Sequence, residues 1–183
     1  MAIILASQSP RRKELLSMVV SEFETMPADI DETVKEGIAP LDYVLEMAQQ
    51  KAECIAKYHP DDLVIGSDTT VVVDGMILGK PVDKADAKAM LTRLSGTTHH
   101  VHTAVCMMKG SDSKSEIITT EVTFFDLMES EIEEYVASGD PMDKAGAYGI
   151  QGPGTLFVKA IQGDFYGVVG FPIAHVKRML SEF

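Results

Sequence analysis

Two adjacent arginines stand at the start of the first predicted helix, in the stretch LASQSPRRKELLS. Ser9 is a good helix N-cap residue and a proline follows it at the first helical position. The amino end of a helix is electrically positive, so Arg11 and Arg12 are unfavourable for the bare helix. Backbone N–H groups there bind phosphate, and the Ser7 hydroxyl adds a donor. The stretch predicts an anion site, although an ordinary cap with two exposed arginines has the same sequence.

Two lysines are candidates for further phosphate contacts. Lys51 lies three residues after Ala48 and four before Ile55, so it shares a helix face with an apolar stripe. A lysine whose stem covers apolar surface while its ammonium reaches water fits this pattern equally well. Lys80, in LGKP, follows the second strand of a predicted hairpin and is uninformative alone.

Carboxylates that could hold a cation occur at two places in the chain. Asp68 ends the predicted strand DLVIGSD, and open α/β sheets bind ligands at strand ends. The alternative is an Asx-type turn. The loop at 29–32 carries three carboxylates, which fit either a solvated acidic turn or a cation site. Asp31, Glu32 and Asp68 suit Mg²⁺, which takes one or two protein carboxylates plus phosphate oxygens.

The sequence HHVH at 99–102 offers a different chemistry. His100 and His102 share a face if this segment is a strand, so a soft-metal site is an open alternative there. The sequence has no GxxxxGK[ST] phosphate loop, no GxGxxG after a strand and no GxSxG nucleophile turn.

The composition is that of a globular protein with a continuous core. The chain has 183 residues, of which 45% are hydrophobic and 24% charged, and its formal net charge is −12. This length predicts one domain, or two closely joined lobes. This negative net charge argues against nucleic acids or anionic membranes as partners. Without a long apolar run or a basic leader, we expect a soluble cytoplasmic protein whose two cysteines, Cys54 and Cys106, stay reduced.

Helices and strands alternate along the chain, with hairpins among them. This order predicts a mixed α/β sheet, and Asp74-Gly75 is the strongest hairpin signal. The predicted helices cover 11–19, 40–59, 84–95, 130–138 and the segment after Pro172. The predicted strands cover 2–6, 22–27, 62–68, the hairpin at 69–81, 98–110, 115–126 and 155–163.

Four ordered motifs resemble those of the Maf family of nucleoside triphosphate pyrophosphatases: LASQSPRRKELL, GSDTTVVVDGMILGKP, RLSGTTHHVHTAV and DKAGAYGIQG. The resemblance runs from the first strand to the last helix. It implies a single Maf-like domain over residues 1–183, with an elongated mixed β-sheet flanked by helices and two lobes around a deep cleft. It also implies hydrolysis of nucleoside triphosphates to the monophosphate and pyrophosphate with a divalent cation, Mg²⁺ or Mn²⁺.

The motifs DKAGAYGIQG and GSDTT are similar to the dTTP/UTP subgroup of that family. The resemblance implies that Asp68 is the proton acceptor and, with Glu32, a metal ligand. It places substrate specificity on Arg11, Thr69 and Gln151, and phosphate binding on Ser7, Arg12, Lys51 and Lys80. The expected partner is a small nucleoside triphosphate, not nucleic acid or a membrane, and a homodimer is left open. The alternative function is a non-catalytic nucleotide-binding regulator of cell division.

Overall fold

Seven strands and six α-helices build the protein, in a computed structural model that describes residues 1–183. The strands are β1 (Ile3–Leu5), β2 (Glu24–Thr25), β3 (Leu63–Val73), β4 (Met76–Leu78), β5 (Thr98–Lys109), β6 (Asp112–Phe124) and β7 (Val158–Gln162). The helices are α1 (Pro10–Ser17), α2 (Pro40–Ala56), α3 (Lys84–Leu94), α4 (Glu129–Ala137), α5 (Phe165–Val169) and α6 (Ile173–Leu180). None of these helices has the length and apolar character that a membrane-spanning helix needs.

The strands form one mixed sheet, which confirms the predicted fold class. Their order is β2-β1-β3-β5-β6-β7, with β4 paired to β3. β1 pairs in parallel with β2 and with β3, whereas β4 is antiparallel to β3 and β7 is antiparallel to β6. Connections through α1 and α2 supply the parallel pairs, a hairpin supplies the β3–β4 pair, and a long connection through α4 joins β6 to β7.

The chain divides into two compact units, each built from more than one segment. The first unit comprises Met1–Asp68, Thr103–Ile118 and Gly170–Phe183. The second unit comprises Thr69–His102 and Thr119–Val169. The deep cleft and the single functional domain expected above stay predictions.

The core of the first unit lies between α2 and the sheet. Small residues on the inner face of α2 pack against β1, β3 and β5, among them Val44, Ala48 and Ala52. These three residues are fully buried. Their small size lets α2 lie close to the sheet, which matters for the site described below.

The core of the second unit is rich in aromatic rings. The Phe124 ring lies edge-on to the rings of His99 and Tyr148, with centroids 5.0 and 4.7 Å away. Tyr135 and Phe157 form another edge-on pair at 5.0 Å. These rings belong to the apolar cluster that α3 and α4 cover with Leu91, Leu94, Ile132 and Val136.

One difference from the predicted elements concerns the strand that carries Asp68. The chain does not end its strand at Asp68, because β3 continues without a break to Val73. The β-branched run from Thr69 to Val73 favours extended backbone, and Val71 to Val73 pair with β4. The Asp74-Gly75 turn is confirmed, with positive φ of 50° and 75° at its two residues.

The segment after Gly139, predicted to be irregular, forms three short 3₁₀ helices at Asp140–Asp143, Ala145–Ala147 and Pro153–Phe157. The last of them replaces the beginning of the strand predicted at 155–163, because Pro153 favours a helical start and cannot donate to a strand partner. The short helix α5 is absent from the sequence prediction. Its five residues are too few to show a helical period.

Candidate functional site

One lysine contacts two carboxylates in the first unit. The Nζ atom of Lys51 lies 2.7 Å from Oδ1 of Asp68, and it also contacts Oε1 of Glu32. The side chains of Lys51 and Asp68 are 11% and 13% exposed, whereas that of Glu32 is 49% exposed. The structure therefore joins residues from three separate sequence segments, as a shared site requires.

The position of Lys51 follows from a close contact between α2 and β3. A β-carbon at Gly66 would lie 2.3 Å from the carbonyl oxygen of Ala48 and 2.6 Å from the nitrogen of Ala52. Only glycine fits there, so the helix backbone rests directly on the strand. Lys51 lies on this inner face, as its spacing predicted, and Asp68 lies two residues after Gly66 on the same side of β3.

Tyr43 holds the loop that carries Glu32. Its hydroxyl donates a hydrogen bond of 2.8 Å to the main-chain oxygen of Glu32. Tyr43 is buried, and this burial together with the carboxylates of Asp68 and Glu32 raises the pKa of its phenol to about 12. The phenol therefore stays a donor at physiological pH. Sequence reasoning missed this residue, because a tyrosine on the apolar face of a helix usually only fills space.

Arg12 is held by the main chain of a distant segment. Its Nε donates a hydrogen bond of 2.9 Å to the carbonyl oxygen of Gly170, 158 residues away in sequence. Burial, and then the neighbouring charge of Arg11, lower the pKa of the Arg12 guanidinium, whereas the Asp68 carboxylate raises it. Arg12 thus lies within electrostatic range of Asp68. A guanidinium remains charged throughout the physiological range.

The predicted cap of α1 is confirmed. The Ser9 hydroxyl accepts a hydrogen bond from the backbone N–H of Arg12, and the Ser7 hydroxyl accepts one from the N–H of Ser9. The first turn of α1 contains no acidic residue. The positive end of the helix therefore coincides with Arg11 and Arg12, a combination that suits a ligand with several negative charges.

The remaining predicted site residues belong to the second unit. Thr69 is half-buried in β3, and Lys80 and Gln151 are exposed. The backbone N–H of Gly146 donates to the carbonyl oxygen of Gly79, so the segment that carries Lys80 is joined to the glycine-rich segment that carries Gln151.

His100 and His102 each contact a neighbouring side chain. The structure contains no group of three or more His, Cys, Asp or Glu residues that could hold a metal ion. His100 Nε2 lies 3.6 Å from Glu121, and His102 Nδ1 shares a hydrogen bond of 2.9 Å with the Thr119 hydroxyl.

Both cysteines are unpaired thiols, and burial raises the pKa of Cys106.

Sequence comparison assigns the family. The profile of the family described as Maf-like protein matches residues 2–183. The chain belongs to the Maf family. The dTTP/UTP pyrophosphatase of Bacillus cytotoxicus is 49% identical over 180 residues, covering 98% of this chain and 94% of that protein. That of Bacillus mycoides is 50% identical over 181 residues, covering 99% and 95%.

Solved structures with low sequence identity share the Maf fold of this chain. A HAM1 protein from Coxiella burnetii superposes with a TM-score of 0.54 at 15% identity, covering all of both chains. The Ham1 protein of Staphylococcus aureus gives a TM-score of 0.50 at 17% identity, covering 68% of this chain and 72% of that one. At these identities the likeness concerns the fold alone.

Proposed function

We propose that the chain is a nucleoside triphosphate pyrophosphatase that hydrolyses dTTP and UTP. The observation that carries this proposal is the cluster of Lys51, Asp68 and Glu32, with Arg12 in electrostatic range. Two carboxylates and two cations at one place suit a polyphosphate bound together with a divalent cation. The names of the Maf relatives, dTTP/UTP pyrophosphatase, support the same reaction and the same substrates.

The cations of the site bind the phosphate chain. The guanidinium of Arg12, oriented by Gly170, and that of Arg11 offer bidentate hydrogen bonds to phosphate oxygens. The ammonium groups of Lys51 and Lys80 contribute point charges, and the Ser7 hydroxyl adds a donor. Each close charge pair at about 4 Å contributes about 4 kcal/mol before desolvation, at an effective dielectric constant near 20. Several such pairs outweigh the screened acidic surface of the chain.

The donor set fits a hard divalent cation, Mg²⁺ or Mn²⁺. Oxygen atoms of Asp68 and Glu32 already converge on one positive charge, the Lys51 ammonium. Two carboxylates are what Mg²⁺ takes from a protein when phosphate oxygens complete its shell. Such a cation supplies charge neutralisation and a lowered pKa for a water bound to it.

Asp68 is the candidate proton acceptor. The overall reaction adds one water across the bridge between the α- and β-phosphates, giving a nucleoside monophosphate and pyrophosphate. The oxygen of the water forms the new bond to phosphorus, and the bridging oxygen leaves with its electron pair. Asp68 takes the proton that the water releases, and the Lys51 ammonium, 2.7 Å from this carboxylate, holds the side chain in place.

Base selection is assigned to Gln151, Thr69 and Arg11. Uracil and thymine present an N3–H beside a carbonyl oxygen, and a glutamine amide matches both with its acceptor and its donor. An analogue that leaves polar groups of such a site unpaired is rejected by it. The exposed position of Gln151 suits contact with a ligand that arrives from solvent.

Pyrophosphate release from a panel of nucleoside triphosphates tests the proposal. We expect dTTP and UTP to be the fastest substrates, and EDTA to abolish release until Mg²⁺ or Mn²⁺ is restored. Nucleotide binding without turnover would support a regulator of cell division instead, and release of orthophosphate would indicate another kind of phosphatase. The cytoplasmic location and the oligomeric state, with a homodimer as one option, stay predictions.

A further inference from the structure

A buried hydrogen bond joins the histidine-rich strand to the glycine-rich segment of the second unit. Nε2 of His99 lies 2.7 Å from the hydroxyl oxygen of Tyr148, and both residues are buried. His99 is fully inaccessible, and its Nδ1 has no hydrogen-bond partner. A buried polar atom without a partner is destabilising, and two apolar side chains of similar size avoid that cost. The pair therefore needs a reason beyond packing.

Tyr148 lies in the segment that leads to Gln151, at residues 144–152, here called the recognition loop. Ala147, just before Tyr148, has a positive φ of 59°, a conformation that alanine keeps only where its surroundings enforce it. Ile150, just before Gln151, is buried like Tyr148. The exposed side chain of Gln151 is thus carried by a backbone whose preceding residues are fixed in the core.

Further contacts brace the same loop. The Tyr135 hydroxyl accepts a hydrogen bond from the N–H of Gly149 and donates one of 2.6 Å to Asp140. The Lys144 ammonium donates to the main-chain and side-chain oxygens of Asp140. The N–H of Gly146 donates to the Gly79 oxygen, next to Lys80. Among these contacts, the one between His99 and Tyr148 anchors the loop to the centre of the core.

We propose that His99 and Tyr148 are positioning residues for base recognition: their hydrogen bond sets the rotation of Tyr148 and thereby the placement of Gln151. Apolar contacts have little directional preference, whereas a hydrogen bond constrains distance and angle. Burial lowers the pKa of His99 to about 4, so the ring is neutral and can share one proton with the phenol at physiological pH. This inference rests on the proposed function of the chain.

The test uses the full chain with three changes: Tyr148→Phe, His99→Leu and the two combined. Each single variant leaves the other partner of the lost bond unpaired in the core, whereas the combined variant removes both partners and should recover much of the lost stability. Selectivity should behave differently. We expect the ratio of kcat/KM for UTP to that for GTP to fall about fivefold in all three variants, mainly through KM for UTP.

Hydrogen–deuterium exchange of the unliganded protein measures the constraint without any substrate. Amides of residues 144–152 should exchange about fivefold faster in the combined variant. Thr120→Val is the matched control, because it removes another buried hydroxyl of the second unit, one that bonds Asp164. It should change neither the loop exchange nor the selectivity.

The outcomes separate this inference from the proposed function. Recovery of selectivity together with stability in the combined variant would overturn the positioning role and leave the proposed function intact. Unchanged exchange of the recognition loop would also overturn it. A wild-type protein that releases no pyrophosphate from any nucleotide would overturn both.

Discussion

Lys51 is the counter-ion of Asp68 and Glu32 at once, with its Nζ 2.7 Å from Oδ1 of Asp68. The ammonium comes from α2, and the two carboxylates come from β3 and from the loop before α2. Two carboxylates therefore share this ammonium, with the Arg12 guanidinium in electrostatic range of Asp68. A divalent cation bound by the two carboxylates would make the Lys51 ammonium available to phosphate.

Asp68→Asn should lower pyrophosphate release by at least about a hundredfold at saturating Mg²⁺ or Mn²⁺, because an amide cannot accept the proton from water. The melting temperature should change little, since asparagine keeps the size of the side chain. Asp74→Asn is the matched control, at the exposed tip of the hairpin, and should retain full turnover. Substantial turnover in Asp68→Asn would show that Asp68 is not the proton acceptor.

Lys51→Met should destabilise the fold by about 2 kcal/mol, because it leaves Asp68 and Glu32 facing each other without a cation. Urea unfolding at pH 7 measures this. The double variant Lys51→Met/Asp68→Asn should be more stable than Lys51→Met alone, since the unpaired charge is gone. Lys35→Met, which removes the exposed pair with Glu46, should cost less than about 1 kcal/mol. Additive effects in the double variant would contradict the ion pair.

Tyr43→Phe should raise the Mn²⁺ concentration needed for half-maximal activation about fivefold, because Glu32 loses the hydrogen bond that holds its main chain. The aromatic ring stays, so stability should change by only about 1 kcal/mol. Tyr58→Phe is the control: that tyrosine is 74% exposed and should give wild-type activation. An unchanged activation curve for Tyr43→Phe would exclude the positioning of Glu32 by Tyr43.

Gln151→Ala should flatten the preference for dTTP and UTP over purine nucleotides, because the amide that matches the pyrimidine edge is lost. Steady-state kinetics on four nucleotides give the ratio. The matched control is Gln162→Ala, an equally exposed glutamine of the second unit on β7. If the ranking of substrates is the same in wild type and Gln151→Ala, base selection lies elsewhere.

The stability of the fold should fall between about pH 6.5 and pH 4 because of His99. Burial, and then the charge of His100, lower the pKa of His99 in the folded chain to about 4, below the ordinary value of 6.5. The unfolded chain therefore takes up the proton first as the pH falls. The loss should reach about 3 kcal/mol and be complete near pH 4.

Urea unfolding at several pH values measures this loss. His99→Leu/Tyr148→Phe should show a smaller slope in that window, because its core has no group to protonate. His100→Gln is the control, since it removes the neighbouring charge but keeps the buried ring. Equal slopes in wild type and the combined variant would contradict the assignment.

Local signals explain what the sequence predicted well. The Asp74-Gly75 turn, the Ser9 cap of α1 and the inward face of Lys51 follow from residue types within a few positions of one another, and all three are confirmed. The metal-ligand role of Glu32 and Asp68 stays a prediction, and in the structure both carboxylates contact the Lys51 ammonium.

Long-range contacts explain what the sequence did not predict. The bond from Arg12 to the Gly170 oxygen joins residues 158 positions apart, and that between His99 and Tyr148 joins residues 49 apart. No local pattern encodes such partners. The two strands predicted to meet at Asp68 are instead one continuous strand, β3, which the separate local patterns did not indicate.

The close contact between Gly66 and α2 limits the substitutions that this protein tolerates. Any side chain there would push α2 away from β3 by about an ångström, and Lys51 moves with the helix. A displacement of that size at a reacting centre lowers the rate about a hundredfold. A position that carries no side chain thus fixes where the Lys51 ammonium lies, and saturation mutagenesis should find Gly66 as intolerant of substitution as Asp68 itself.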